Sequence, residues 1–413
     1  MGGGDPLKIL QISTQDLGGG AEKIAWKIHR ELVDRGHESL LLVGKKLSSD
    51  PTVVELPTAI RYRGLGYAKI VVDHLLGYQY EHYPASHHIP DLVGSNWDVI
   101  QTHNLHGSYF DVSALSRLQS LAPVILTLHD MWLLTGHCAH PLGSDGWLRG
   151  CGSCCELSLY PQIRRDAARH NLARKKRILD GGRYWVVPTA RWLEEVVKET
   201  YLSVHPRRRI SNPVDPQYFK PGDREGVRER MGIRQDRHVV LLPANLDANN
   251  PYKGRKIFLE AVAELRDLDL LSLAFEGNEP APKEVRVLPR THDEAEVAGY
   301  YHAADVTVLS SLADTYPLTV LESFACGVPV VGTDVGGIRE MVKDRQTGRL
   351  VQPGDHRGLA RAIRTVIEAP VESAVLAKNA VEQVVPRHLL GHIVDQWVDL
   401  YEEVVSRFPK RKA

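Results

Sequence analysis

Residues Ser310 to Glu340, SSLADTYPLTVLESFACGVPVVGTDVGGIRE, decide how this chain is read. The stretch parses as a strand end, an acidic loop, a helix, a tight turn, an apolar strand and a glycine loop. Asp314 falls in the loop and Glu322 on the helix. Between them, the helix start offers unpaired backbone N–H groups and the positive end of the helix dipole, a place for a phosphate. An anion cradle flanked by two carboxylates suits a phosphate joined to the hydroxyls of a sugar and a ribose.

Outward from that segment the second half alternates strand and helix. Strands read at His238–Asn245 (HVVLLPAN), Leu271–Phe275, Val285–Leu288, Val306–Leu309 and Val328–Gly332, and KIFLEAVAELRD reads as a helix. The first half has the same rhythm. Lys8–Ser13 is a short apolar run, then come Gly18, Gly19 and Gly20, then a helix with Ile24, Ile28 and Leu32 at helical spacing, closed by Gly36. Strands follow at Ser39–Gly44, Val99–Thr102, Val124–Leu128 and Tyr184–Pro188. A strand–glycine loop–helix–strand order implies a parallel sheet with right-handed crossovers, so two sequential doubly wound α/β domains are expected. The turn formers in HPRRRISNPVDPQYF mark the linker. The expected domains are 1–208 and 209–389, followed by a closing helix at about 390–413 with Ile393, Trp397, Leu400 and Val404 on one face.

Composition narrows the partners. Across 413 residues, 25% are charged and the formal net charge is zero, so bulk electrostatics give no reason to expect a nucleic-acid partner. No run of about 18 apolar residues predicts a membrane span. The start, MGGGDPLKILQIS, lacks a basic region followed by an apolar one, so a cytoplasmic protein is expected. The basic tail Arg407–Lys412 reads as a solvated end, with peripheral contact at the inner face of a membrane as the second reading. Cys138, Cys151, Cys154 and Cys155 crowd together beside His137 and His140. They read as reduced buried thiols or, if three thiolates and a histidine converge, as a structural zinc site.

The helix text ESFACGVPVV (Glu322–Val331), the acid Asp314 ahead of it and the pair Gly336-Gly337 resemble the acidic signature of retaining glycosyltransferases of family four, which have the GT-B fold. The run from His103 through TLHDMWLLTGHC to Cys154 resembles the colanic-acid and capsular-polysaccharide branch of that family. Two positions depart from the family pattern. The first acid is Asp314, where the family has glutamate, and PANLDANNPY carries no arginine ahead of Lys253.

The resemblance implies two Rossmann-like domains facing a central cleft, with the last helix returning to the first domain. It implies that Glu322 takes the nucleotide ribose, that Asp314 contacts donor-sugar hydroxyls, and that backbone N–H groups near Leu318 and Thr319 face the phosphate. Lys253, in the Lys253-Gly254 step, would neutralise the departing diphosphate. The Gly18-Gly19-Gly20 loop would face the diphosphate as well; on spacing alone it is equally a plain tight turn. His129, just past an apolar strand in LTLHDMW, would hydrogen-bond near the reacting carbon, with Asp130 either orienting it or capping the next helix. His103 and His106 are acceptor-side candidates. The implied activity is metal-independent retaining transfer of a sugar, from a nucleotide donor expected to be a UDP-hexose, to a saccharide or lipid-linked acceptor in polysaccharide biosynthesis. No cofactor is required for it. The rival reading is a catalytically silent GT-B sugar-binding or scaffold protein.

Overall fold

The computed structural model describes residues 5–57, 65–79, 82–154, 156–245, 250–275, 281–282, 285–289 and 291–408. The chain forms two compact units, one of residues 1–211 with 394–413 and one of residues 212–393.

Unit 1 is built on a six-stranded sheet: β1 (Lys8–Gln15), β2 (Glu38–Lys45), β3 (Val53–Glu55), β4 (Val99–Thr102), β5 (Val124–Leu128) and β6 (Tyr184–Pro188). The order is β3-β2-β1-β4-β5-β6 with every neighbour parallel. β4, β5 and β6 are buried along their whole length, as strands covered by helices on both faces must be. The register places Gln11 of β1 beside Leu41 of β2 and Gln101 of β4. The helix Gly20–Asp34 follows β1 and buries Ile24, Ile28 and Leu32, the stripe expected of it.

Unit 2 repeats the scheme with β7 (His238–Asn245), β8 (Leu270–Phe275), β9 (Val285–Leu288), β10 (Val306–Leu309), β11 (Val330–Thr333) and β12 (Gly348–Val351). Its order, β12-β11-β10-β7-β8-β9, is the same doubly wound arrangement read from the other edge. Its core packs Val240, Leu242, Val306, Val308 and Val331 of the sheet against Phe258, Leu359 and Ile363 of the flanking helices. In each unit the strand order reverses once, between β1 and β4 and between β7 and β10. The crevice beyond the carboxyl ends of those strands is where such sheets take ligands.

Two expected boundaries shift for physical reasons. β11 starts at Val330 and not at Val328, because the Val328 N–H donates to the Ser323 carbonyl (2.9 Å) and closes the preceding helix. The helix after Gly254 spans Arg255–Ala263 and stops short of Asp267, where turns take over. The closing helix is Leu390–Arg407, with Ile393, Trp397, Leu400 and Val404 buried. Among the described residues no helix is long and apolar enough to cross a membrane.

Candidate active site

Unit 2 carries its candidate side chains on the elements that follow β7 and β10, the strands of its switch point. After β10, the loop from Ser310 leads through Asp314 to Pro317, and the helix Leu318–Ala325 starts with no side chain capping it. Its first amides, those of Leu318 and Thr319, are therefore the open end expected of an anion site. The loop is held from below by glycines. Gly254 has φ +62°, and a Cβ there would lie 1.9 Å from the Ser310 carbonyl oxygen. Gly337 donates its N–H to the Asp314 carbonyl (3.1 Å), and a Cβ on it would lie 2.2 Å from the Thr315 carbonyl oxygen. Only a residue without a side chain lets these backbones meet.

The charged groups then pair within the unit. Lys253 Nζ donates to Asp314 Oδ2 at 2.6 Å, with the lysine more exposed than the aspartate. Glu322 is buried on its helix, and its Oε2 accepts a hydrogen bond from the Tyr301 hydroxyl at 2.7 Å. Burial first, and the Glu322 carboxylate second, hold the Tyr301 phenol well above its ordinary pKa, so it remains a donor. Tyr301 is a contact the sequence did not signal: it sits on the helix Glu294–Ala303, and only the fold brings it to Glu322. Cys326, on the turn after the Glu322 helix, is a buried thiol pushed up to about 12 by burial, in keeping with a packing role.

Unit 1 places Gly18, Gly19 and Gly20 after β1, at its own switch point. Here the structure qualifies the phosphate expectation. Glu22 folds over the loop, with its Oε2 against Gly19 and its Oε1 accepting from Thr14 Oγ1 at 2.5 Å. A first-turn carboxylate beside the loop would repel a second anion there.

His103 and His129, expected in separate roles, form one pair. His103 follows β4 and His129 follows β5, and the adjacency of the strands sets Nδ1 of the first 2.9 Å from Nε2 of the second, the rings stacked at 14°. Burial lowers the pKa of His129 to about 4 and that of His103 well below 6.5, so both imidazoles are neutral at neutral pH. Asp130 does not orient His129. Its Oδ2 accepts from His106 Nε2 at 2.7 Å, and its Oδ1 accepts from the Trp132 N–H at 2.8 Å; the cap position of the short helix Trp132–Leu134 is Met131, so Asp130 braces the helix start from one residue further back.

In the cysteine segment, burial pushes the Cys138 thiol up to about 11. Cys151 Sγ accepts from the Gly136 N–H at 3.1 Å, and His137 Nε2 lies 3.2 Å from Cys154 Sγ. Among the described residues no three such groups converge as metal ligands, and Cys155 lies outside them.

Comparison with known proteins agrees with the two-unit fold. A model described as glycosyltransferase family 4 matches residues 18–218, and one described as glycosyl transferases group 1 matches residues 237–369. A D-inositol 3-phosphate glycosyltransferase of Catenulispora acidiphila is 31% identical over 50% of this chain and 53% of its own. Another, of Geodermatophilus obscurus, is 35% identical over 40% of this chain and 42% of its own. The chain thus spans about half the length of the curated relatives it matches. Sucrose-phosphate synthase of Thermosynechococcus elongatus superposes with a TM-score of 0.73 at 19% identity, covering 97% of this chain and 100% of that one. HepE of Anabaena, in complex with UDP and glucose, superposes with a TM-score of 0.69 at 17% identity, covering 96% and 99%. With two Rossmann-like units, an acid-flanked helix start in the second and a family model on each half, the chain belongs to the group 1, family 4 glycosyltransferases of GT-B fold.

Proposed function

We propose that the chain transfers a hexose from a nucleoside diphosphate donor to an acceptor hydroxyl, with retention at the anomeric carbon. The observation that carries this reading is the open start of the helix Leu318–Ala325, with Asp314 before it and Glu322 within it. The amides of Leu318 and Thr319 take a phosphate, Glu322 takes the ribose hydroxyls, and Asp314 takes sugar hydroxyls. In the transfer the bond from C1 to the diphosphate oxygen breaks, and a bond from C1 to the acceptor oxygen forms on the same face. The acceptor's proton leaves with the diphosphate. Lys253 and the helix amides stabilise the charge that develops on the leaving group. In the structure Lys253 is paired with Asp314. Donor binding exchanges that contact for a phosphate, which leaves Asp314 free to accept from the sugar. His129 is the proposed group of unit 1 that contacts the sugar.

UDP is the proposed nucleotide. HepE, a neighbour in fold, is described in complex with UDP and glucose, which supports that choice. For the acceptor, a saccharide or lipid-linked saccharide in polysaccharide assembly follows from the likeness to the capsular-polysaccharide branch. A phosphorylated polyol is the second reading, favoured by the inositol-phosphate glycosyltransferases among the relatives. We place the reaction in the cytoplasm, with contact at the membrane face where the acceptor is lipid-linked.

Turnover decides between this enzyme and a silent GT-B protein. Wild type incubated with UDP-hexoses should release UDP, and Glu322→Ala should lower UDP-hexose turnover by about tenfold or more at subsaturating donor. No release from UDP-, GDP- or ADP-sugars, with or without a saccharide or inositol-phosphate acceptor, would overturn the proposal.

A further inference from the structure

Unit 1 contains a file of polar side chains that leads to His129 and whose other members the glycosyl-transfer reading gives no role. It runs from the turn before β3 to the end of β5. Thr52 Oγ1 donates to Asp50 Oδ1 at 2.5 Å. His29 Nε2 lies 2.8 Å from Thr52 Oγ1, and His29 Nδ1 lies 2.9 Å from Ser39 Oγ. Gln11 Nε2 donates to Ser39 Oγ at 3.3 Å, and Gln11 Oε1 lies 3.1 Å from His103 Nε2. His103 Nδ1 then meets His129 Nε2. His29, Ser39, Gln11 and His103 are buried.

Proton counting gives the file one direction. The Asp50 carboxylate only accepts. Burial opposes its charge, but hydrogen bonds from Thr52 and the Arg30 ion pair hold its pKa below the ordinary value. The single hydroxyl proton of Thr52 therefore points at Asp50, and Thr52 Oγ1 must accept from His29 Nε2–H. Burial lowers the pKa of His29 to about 4, so the ring is neutral and its Nδ1 is a lone pair that accepts from the Ser39 hydroxyl. Ser39 Oγ then accepts from the Gln11 amide, which turns the Gln11 carbonyl toward His103 Nε2–H. His103 Nδ1 is left as an acceptor, and His129 must donate to it from Nε2.

The opposite polarity fails at the far end. Turning the Gln11 amide round would require Ser39 to donate to Gln11 and His29 to donate to Ser39. His29 Nε2 would then face Thr52 Oγ1 with no proton between them, or His29 would be a buried cation.

We infer that Asp50, Thr52, His29, Ser39, Gln11 and His103 are positioning residues that set His129 as its Nε2–H tautomer, leaving Nδ1 as a hydrogen-bond acceptor. An imidazole so fixed receives a hydroxyl and offers no proton to a phosphate oxygen, so it selects the sugar or acceptor hydroxyl over the diphosphate. That last consequence rests on the glycosyl-transfer reading; the tautomer itself does not.

The test is nitrogen NMR of the full chain labelled with ¹⁵N-histidine, with His29→Gln, His103→Gln and His129→Gln assigning the signals. At pH 7.5 the file predicts Nε2–H tautomers at all three rings. Gln11→Leu and the remote Thr52→Val should both draw the His129 nitrogen shifts toward a tautomer mixture. Gln11→Leu should lower kcat about tenfold with the donor KM within about twofold. A proton on His129 Nδ1 in wild type overturns the inference, whatever the variants do. So does an unchanged His129 spectrum in Thr52→Val that melts as wild type does. If the tautomers are as stated and no nucleotide sugar is turned over, the file stands and the proposed function falls.

Discussion

Glu322 is a carboxylate kept in place by one phenol. Its partner Tyr301 is buried, so removing either member leaves the other wanting a hydrogen bond. Tyr301→Phe should cost about 1–2 kcal/mol of stability in urea melts. It should also weaken UDP binding several-fold in calorimetry, because Glu322 loses the contact that fixes its rotamer. Unchanged UDP affinity in Tyr301→Phe would show that Glu322 is positioned by other means. Glu322 was legible because acid, helix and turn formers stand together in one segment. Tyr301 was not, because it joins Glu322 from a separate helix and no local pattern marks a tyrosine as a hydrogen-bond donor. The histidines teach the same lesson. His103 and His129 could each be placed at a strand end, but their pairing follows from β4 lying beside β5, which strand-by-strand reading does not reveal.

At the scale of elements, the acidic loop keeps its path because two glycines let other backbones touch it. Gly337→Ala sets a Cβ 2.2 Å from the Thr315 carbonyl oxygen and 2.7 Å from Tyr316 Cα, both backbone atoms that cannot rotate away. We expect a loss of about 2–4 kcal/mol in stability. We also expect a displaced Asp314, read as a rise in donor KM in the fraction that stays folded. A melting temperature within a degree or so of wild type would show that the loop is not clamped there. The strands show why some elements announce themselves. β5, β6 and β10 are short continuous apolar or β-branched runs, and β4 departs from that only at Gln101; all four are buried on both faces, and their expected limits match the structure. β3 and β12 were not anticipated. Both lie at sheet edges, VVE being three residues long and GRLV mostly half-exposed, so neither carries the apolar run that marks an interior strand.

For the whole molecule, the buried neutral histidines set an acid limit on stability. His29 and His129 have folded pKa values lowered to about 4 by burial, against about 6.5 in the unfolded chain. Between those values the unfolded chain binds more protons, so unfolding free energy rises with pH and stability is lost as pH falls from about 6.5 toward 4. Each histidine contributes on the order of 1–3 kcal/mol across that window. Urea midpoints should therefore drop between pH 7 and pH 5, and less steeply in His29→Gln; a flat profile would contradict the neutral-histidine account. The doubly wound class was legible from the alternation of strands and helices, whereas the strand orders needed the structure. The central claim is that unit 2 holds the donor nucleotide at the start of the helix Leu318–Ala325. Calorimetric titration of UDP into the full chain tests it most directly. The account predicts one site in wild type and at least about tenfold weaker binding in Glu322→Ala. Equal affinity in the two proteins, or no uptake of UDP, GDP or ADP by wild type, would contradict it.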